Sequence, residues 1–420
     1  MTASTAASIA LNAARAAAAA RTPLALLTGD DRAAMLHDVA RSIRSSSGAI
    51  ISANARDLEA ADQLPKSMRD RLRLDGPRIA AMAQAVESIA AQPDPVGEVI
   101  SGRVLPNGVR LEKRRVPLGV VLVIYESRPN VTSDAAALCL KAGNAAVLKG
   151  GTEAMASNRA IVDAIRGPLE QRGVGGAVQF VDCADRQVVK HLVTLRGLID
   201  LAIPRGGPGL IKAVTEAATI PVVKHDAGNC HIYIDEHLDG LEDAALAIVV
   251  NAKVQRPGVC NAVETLLVHR EQAPRVLPRI CAALASSGVE IRGCDQTRVH
   301  WPGARHATQD DWQTEYLDLI LAVRVVDSLE EAAGHIRTYG SQHTEAIITS
   351  NLRAAERFVR LVDSASVMVN CSTRLADGGQ YGLGAEIGIS TDKLHARGPM
   401  GAADLTTFQW VAHGDGQIRQ

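Results

Sequence analysis

The stretch VPLGVVLVIYESRPNVTSDAAALCLKAGNAAVLKGG, Val116 to Gly151, decides the fold class. Its opening residues, Val116 to Tyr125, form a near-continuous apolar run, the pattern of a strand buried on both faces. Ser133 to Ala142 has helical spacing, and Ala145 to Leu148 is a second short apolar run. Strand, helix, strand in that order is a βαβ unit, since parallel strands need a crossover and the helix supplies it. Lys149-Gly150-Gly151 then falls at the carboxyl edge of the sheet, where open α/β folds bind ligands. A merely solvated lysine is the alternative there.

The same rhythm extends outward. Short apolar runs at Ala177–Val181 and Leu198–Ile203 alternate with helical stretches at Glu153–Arg172, Arg186–Leu195 and Leu210–Ala218. A second series starts at Ile232, with helices at Leu241–Asn251, Pro274–Ser286 and Leu329–Arg337. Its strands fall at Val263–Val268, near Ile320–Val325, and at Ala346–Thr349 and Ser366–Asn370. Upstream, Thr2 to Gln92 reads as helix, for example at Met35, Val39 and Ile43, until Gln92-Pro93-Asp94-Pro95. Val99 to Arg115 alternates apolar and polar residues around Pro106-Asn107-Gly108, a hairpin signal. A lone hairpin is barely stable in water, so this one is expected to pack on a partner subunit or another domain. The fold class is therefore α/β: two α/β domains plus a hairpin, with a Gly-rich loop region from Gly378.

Composition narrows the function. A chain of 420 residues has room for roughly two to three domains. Its 45 Lys and Arg balance 46 Asp and Glu, which leaves no field for coating nucleic acid or an anionic membrane. Hydrophobic residues make up 47% but aromatics only 3%, so the core is aliphatic and base-stacking platforms are excluded. Seven cysteines without repeated spacing read as reduced thiols rather than a disulfide framework. The Ala-rich start is interrupted by Arg15 and reads as a helix, not a signal peptide. No run reaches the ~18 apolar residues of a membrane span, so a soluble, cytoplasmic protein is expected.

Several chemistries can be set aside. The chain has no G-x-x-x-x-G-K-[ST], no H-E-x-x-H and no G-x-G-x-x-G after a strand, since Gly382-Leu383-Gly384 meets Ile387 where the third glycine belongs. Metal spacing is absent too: His225, Cys230 and His231 cluster, but no C-x-x-C exists, and no metal is expected. The segment Ile203-Pro204-Arg205-Gly206-Gly207-Pro208-Gly209 closes a strand and opens a helix, so it reads equally as a pyrophosphate cradle or an ordinary glycine turn. One cysteine stands apart. Cys139, Cys183, Cys281 and Cys371 fall in apolar runs, whereas Cys260 sits in a Gly/Pro loop with Lys253 and Arg256 nearby to favour the thiolate.

Four strings carry a resemblance. YESRPNVTSDAAALCLKAGNAAVLKGG (Tyr125–Gly151), IDLAIPRGGPGLI (Ile199–Ile211), NAKVQRPGVCNAVETLL (Asn251–Leu267) and GAEIGISTDKLHARGPMG (Gly384–Gly401) together resemble the gamma-glutamyl phosphate reductase family of the aldehyde dehydrogenase superfamily. The resemblance spans essentially the whole chain. It implies a Rossmann-like cofactor domain, an α/β catalytic domain and an oligomerisation hairpin. The implied reaction is NADPH-dependent reduction of L-glutamyl 5-phosphate to L-glutamate 5-semialdehyde in proline biosynthesis, downstream of a glutamate 5-kinase, in a homodimer or homotetramer.

The implied division puts residues 1–98 and 117–232 in the NADP-binding domain and 99–116 in the hairpin. Residues 233–372 form the catalytic domain, and 373–420 the C-terminal return and oligomerisation segment. By position, Cys260 resembles the superfamily nucleophile, with Asn130 or Arg128 as the oxyanion donor beside the Cys260 backbone N–H. Lys149 resembles the lysine that reaches the adenosine ribose and its 2′-phosphate, and Glu315 the glutamate on the nicotinamide ribose. Arg205, Gly206 and Gly207 complete the expected cofactor contacts. Arg128, Arg256, Asn370 and Arg397 are the expected substrate contacts. Where hydrolytic relatives carry a water-activating Glu, the matching string here is His225-Asp226-Ala227-Gly228, with no Glu. A hydrolytic, NAD-linked semialdehyde dehydrogenase of the same superfamily is the competing reading, and a non-catalytic α/β scaffold the other class.

Overall fold

The run from Val116 to Tyr125 is the end of one strand and the whole of another. In the computed structural model, which describes residues 3–224 and 227–419, five helices fill Ala3 to Ala90 before the first strands, β1 (Val99–Val104) and β2 (Arg110–Pro117). Gly119 breaks the run at φ +124°, and a Cβ there would lie 2.2 Å from the Asp200 carboxylate, which accepts the Val120 N–H at 2.8 Å. Only glycine turns the chain so tightly against that carboxylate. Beyond it, β3 (Val120–Tyr125) is buried at every residue.

β3, β4 (Ala145–Lys149), β5 (Val178–Phe180) and β6 (Leu201–Arg205) form a parallel sheet in the order β5-β4-β3-β6. The reversal of strand order on either side of β3 brings three carboxyl ends together, with Ile124 paired to Lys149 and Tyr125 to Arg205. The second sheet collects β7 (Cys230–Ile234), β8 (Val263–His269), β9 (Glu290–Gly293), β10 (Arg305–His306), β11 (Ile320–Val326), β12 (Thr344–Ile348) and β13 (Ser366–Val369). All are parallel, in the order β10-β9-β11-β8-β7-β12-β13. Cys230 already pairs in this sheet, so the chain passes between the layers before residue 230, not at 232.

Two apolar cores match the two sheets. One gathers side chains from Ala6 to Val223 together with Ile387, Ala396, Met400, Ala402 and Leu405; another runs from Ile232 to Ala376. The segment after β13 therefore returns to the first layer. It carries β14 (Gly388–Ser390), β15 (Gly398–Met400) and a long strand, β16 (Thr406–His413), which the sequence reading treats as loop. β16 pairs antiparallel with β2 across its whole length, giving an outer sheet β1-β2-β16. The expected hairpin is present, with Gly108 at φ +85°, but it is the larger part of a three-stranded sheet. The helices Leu352–Leu361 and Asp295–His300 and the strands β9 and β10 are also absent from the sequence reading. Among the described residues no helix is long and apolar enough to cross a membrane.

Candidate active site

Cys260 occupies the loop between the helix Glu242–Val254 and β8, half-buried. The loop is fixed from two sides. Gly228 lies against it so closely that a Cβ would fall 2.0 Å from the Cys260 carbonyl oxygen and 2.5 Å from its Cα. From below, the buried Cys230 thiol donates to that same carbonyl at 3.1 Å. The Gly228 N–H in turn donates to Glu315 Oε1 at 2.9 Å.

Burial pushes the Cys260 thiol up to about 11, Arg205 and the residue's own backbone N–H pull it down, and the Glu386 and Glu315 carboxylates oppose them. Lys253 does not supply the expected cation. It is wholly buried, 2.6 Å from Glu264 Oε2, in a closed ion pair. The positive charge comes from arginines instead. Partial burial, then repulsion from Arg71, Arg205 and Arg256, holds Arg128 below its ordinary range, and the Cys260 thiolate works the other way. Arg374 is lowered by burial and by Arg256, while Asp377 and Cys260 favour its charge. Two unit charges ~6 Å apart repel by about 3 kcal/mol at an effective dielectric near 20, so such a group asks for an anion.

A cleft of about 280 Å³ is lined by Arg128, Asn130, Asp134, Arg205, Asp377 and Glu386, among others, and the charges of Arg205 and Glu386 act on the thiol. Arg205 leaves the end of β6 and runs over Gly388, where a Cβ would lie 3.2 Å from its guanidinium. Its charge acts on Cys260, and it lines this cleft. Asn130 opens the helix Asn130–Lys141 and donates through Nδ2 to Asp134 Oδ2 at 3.1 Å, so of the two oxyanion candidates Arg128 is the one whose charge reaches the sulfur. Burial raises the Asp134 carboxyl to about 6, against hydrogen bonds from Asn130 and Ser133 and the charge of Arg205.

Two expected substrate contacts are engaged elsewhere. Asn370, at φ +56°, accepts the Thr349 N–H and donates to the Thr349 carbonyl, both at 2.9 Å, which ties the end of β13 to the end of β12. Arg397 pairs with Asp363 at 2.8 Å and also bonds its carbonyl, and it does not line the cleft. Arg256 stays exposed on the Cys260 loop among the other arginines. His225 and Asp226 lie outside the described residues. Arg71, Arg374, Asp134, Asp377 and Glu386 are absent from the sequence assignment. Arg71 and Arg374 reach the loop from distant segments, and Glu386 sits inside a quoted string with no spacing to mark it.

At or just past the carboxyl ends of β3, β4 and β6 stand Ser127, Lys149 and Gly206-Gly207. Lys149 Nζ donates to the Gly150 carbonyl at 2.6 Å, and burial pulls its charge down while Cys183, Glu153 and Asp182 support it. A Cβ on Gly150 would sit 2.2 Å from Asn158 Nδ2, a buried donor that bonds no other group. The Gly207 N–H, at the head of the helix Pro208–Ala217, donates to Glu126 Oε2 at 3.0 Å. An anion entering there displaces one carboxylate from a helix N-terminus, an exchange of like for like. A lysine, an unused buried amide and a helix N-terminus at one sheet edge fit a dinucleotide.

Comparison with known proteins is consistent along the chain. The model of the aldehyde dehydrogenase family matches residues 1–299. The gamma-glutamyl phosphate reductase of Moorella thermoacetica is 52% identical over 97% of this chain and 97% of its own. That of Thermobifida fusca is 54% identical over 94% of this chain and 95% of its own. The crystal structure of gamma-glutamyl phosphate reductase from Thermotoga maritima superposes with a TM-score of 0.95 at 44% identity, covering 98% of this chain and 100% of that one. These likenesses agree with the parallel-sheet architecture: the chain belongs to the gamma-glutamyl phosphate reductase family, oxidoreductases of proline biosynthesis with the aldehyde dehydrogenase fold.

Proposed function

We propose that the chain reduces L-glutamyl 5-phosphate to L-glutamate 5-semialdehyde with NADPH, releasing phosphate by way of a thioester on Cys260. The observation that carries this reading is the gathering of Arg71, Arg205 and Arg256 about Arg128, which with Arg205 acts on the Cys260 thiol. A free aldehyde substrate has no use for so much positive charge. An acyl phosphate has, both on binding and on loss of phosphate.

Arg205 and the Cys260 N–H favour the thiolate, which adds to the acyl carbon while Arg128 steadies the oxyanion. The carbon–oxygen bond to phosphate then breaks, and the anion leaves toward the arginines. Glu315 would hold the nicotinamide ribose of NADPH and Lys149 its adenosine end, and the cofactor would supply the hydride that reduces the thioester. Cys260 departs last, as the carbon–sulfur bond of the thiohemiacetal breaks and the electron pair returns to sulfur, freeing the aldehyde. NADPH over NADH rests on Lys149, the cation at the end of β4.

The wider reading keeps the first layer as the NADP-binding domain and the second as the catalytic domain. The outer sheet is the contact of a homo-oligomer; its exposed Val99, Ile100, Val104, Phe408 and Trp410 support that. Acyl phosphates hydrolyse readily, so a cytoplasmic glutamate 5-kinase is the fitting supplier. NADPH oxidation coupled to such a kinase tests the reaction, with wild type active and Cys260→Ser inactive but still binding nucleotide. In the reverse direction, oxidation of the semialdehyde that ignores added phosphate and yields free glutamate would sink the reading in favour of the hydrolytic one.

A further inference from the structure

The Lys253–Glu264 pair is fully buried on both sides, and nothing in the reaction uses it. Desolvating two charges costs several kcal/mol each, so an ion pair is retained in a core for what its remaining atoms hold. Here the remaining atom is Glu264 Oε1, which accepts the backbone N–H of Leu317 at 3.2 Å. Leu317 is a branched residue at φ +54°, a left-handed conformation that costs free energy unless its surroundings enforce it. Two residues earlier, Glu315 accepts the Gly228 N–H, and Gly228 is the residue pressed on the Cys260 backbone. The Leu317 carbonyl also lies 3.6 Å from where a Cβ of Gly258 would stand, two residues before the nucleophile. The segment Glu315–Leu317 thus touches the Cys260 loop at two points, and the buried pair grips that segment.

We infer that Lys253 and Glu264 are positioning residues: through the Leu317 N–H they clamp the Glu315–Leu317 segment, which sets both the Cys260 backbone and the Glu315 carboxylate. Glu264 is the acceptor, and Lys253 orients it. The inference rests on the reading of Cys260 as nucleophile and Glu315 as cofactor contact.

Two double variants separate clamping from plain stabilisation. Lys253→Met/Glu264→Leu replaces the pair by apolar side chains of similar size, a change that commonly leaves stability intact. Lys253→Met/Glu264→Gln also removes both charges but keeps a side-chain carbonyl for Leu317. The glutamine variant is expected to keep kcat within threefold of wild type, with KM for NADP unchanged. The leucine variant, with an unaltered melting temperature, is expected to lose at least tenfold in kcat. It should also exchange the Leu317 amide hydrogen at least tenfold faster and shift the rate of Cys260 alkylation. Equal turnover and equal exchange in the two variants would overturn the inference.

Amide exchange in the wild-type protein tests the clamp even if neither variant folds. The Leu317 amide should be protected nearly as well as the buried strand β8. Exchange at the rate of an exposed loop also overturns the clamp. Exchange and alkylation need no turnover, so they judge the clamp even if wild type shows no phosphate-dependent NADP reduction, a result that would instead reject the proposed reaction.

Discussion

Gly228 and Cys260 touch backbone to backbone, with space for a hydrogen but none for a methyl group. A Cβ at 228 would stand 2.0 Å from the Cys260 carbonyl oxygen, well inside contact distance. Gly228→Ala should therefore push the nucleophile loop away from Glu315 and the arginines. We expect at least a hundredfold loss of kcat with nucleotide affinity changed far less, read by steady-state kinetics alongside nucleotide titration. Turnover near wild type would show that the loop does not depend on this contact.

The thiol of the free protein should behave as a weak acid. Burial sets it near 11, with Arg205 as the main opposing charge. Iodoacetamide modification of Cys260, followed by mass spectrometry, should rise with pH up to that region. Arg205→Met removes the cation that favours the thiolate, so the curve should move to higher pH and the rate at pH 9 should fall several-fold. A shift toward lower pH contradicts this placement of Arg205.

Asp134 makes stability depend on pH in an unusual direction. Its folded value of about 6 lies above the ordinary aspartate value near 4, so between the two the folded chain holds a proton that the unfolded chain has released. Stability contributed by that proton is complete below pH 4 and is lost as pH rises through 6. Asp134→Asn should remove this slope and stabilise the protein by about 1–3 kcal/mol at pH 7. Urea unfolding of both proteins at pH 4.5 and pH 7 measures it; parallel curves would show that the carboxyl is already at ease.

The βαβ rhythm, the two layers and the loop placement of Cys260 were legible because each depends on local pattern. Val120–Tyr125 is buried on both faces whatever surrounds it, and Cys260 sits where a Gly/Pro loop must expose a strand end. Arg71 and Arg374 were not legible, since they join the site only when the helix Lys66–Leu72 and the segment after β13 fold against the Cys260 loop. Nor could spacing show that Lys253, in the same string as Cys260, turns inward to Glu264. β16 was hidden for another reason: its pattern is that of an outer strand with Phe408 and Trp410 exposed, and the partner strand lies far back in the chain.

Asn370 and Arg397 both make contacts that serve the fold. Asn370→Ala should cost about 2–4 kcal/mol of stability, from the two hydrogen bonds to buried Thr349 and from φ +56°. Arg397→Ala should leave KM for the phosphorylated substrate within about twofold, because its guanidinium is already matched by Asp363 on the surface. A tenfold rise in KM for Arg397→Ala would return that residue to the substrate site.

The outer sheet has a consequence for biosynthesis. β2 leaves the ribosome well before β16, the strand that covers one of its edges from far down the chain. Until Thr406–His413 emerge, the nascent chain carries an open β edge on β2, the kind of edge that recruits other strands. A translation product stopped short of β16 keeps that adhesive edge for good. Chaperone dependence and aggregation of such fragments, more than loss of the reaction itself, should be the first cost of a late stop codon.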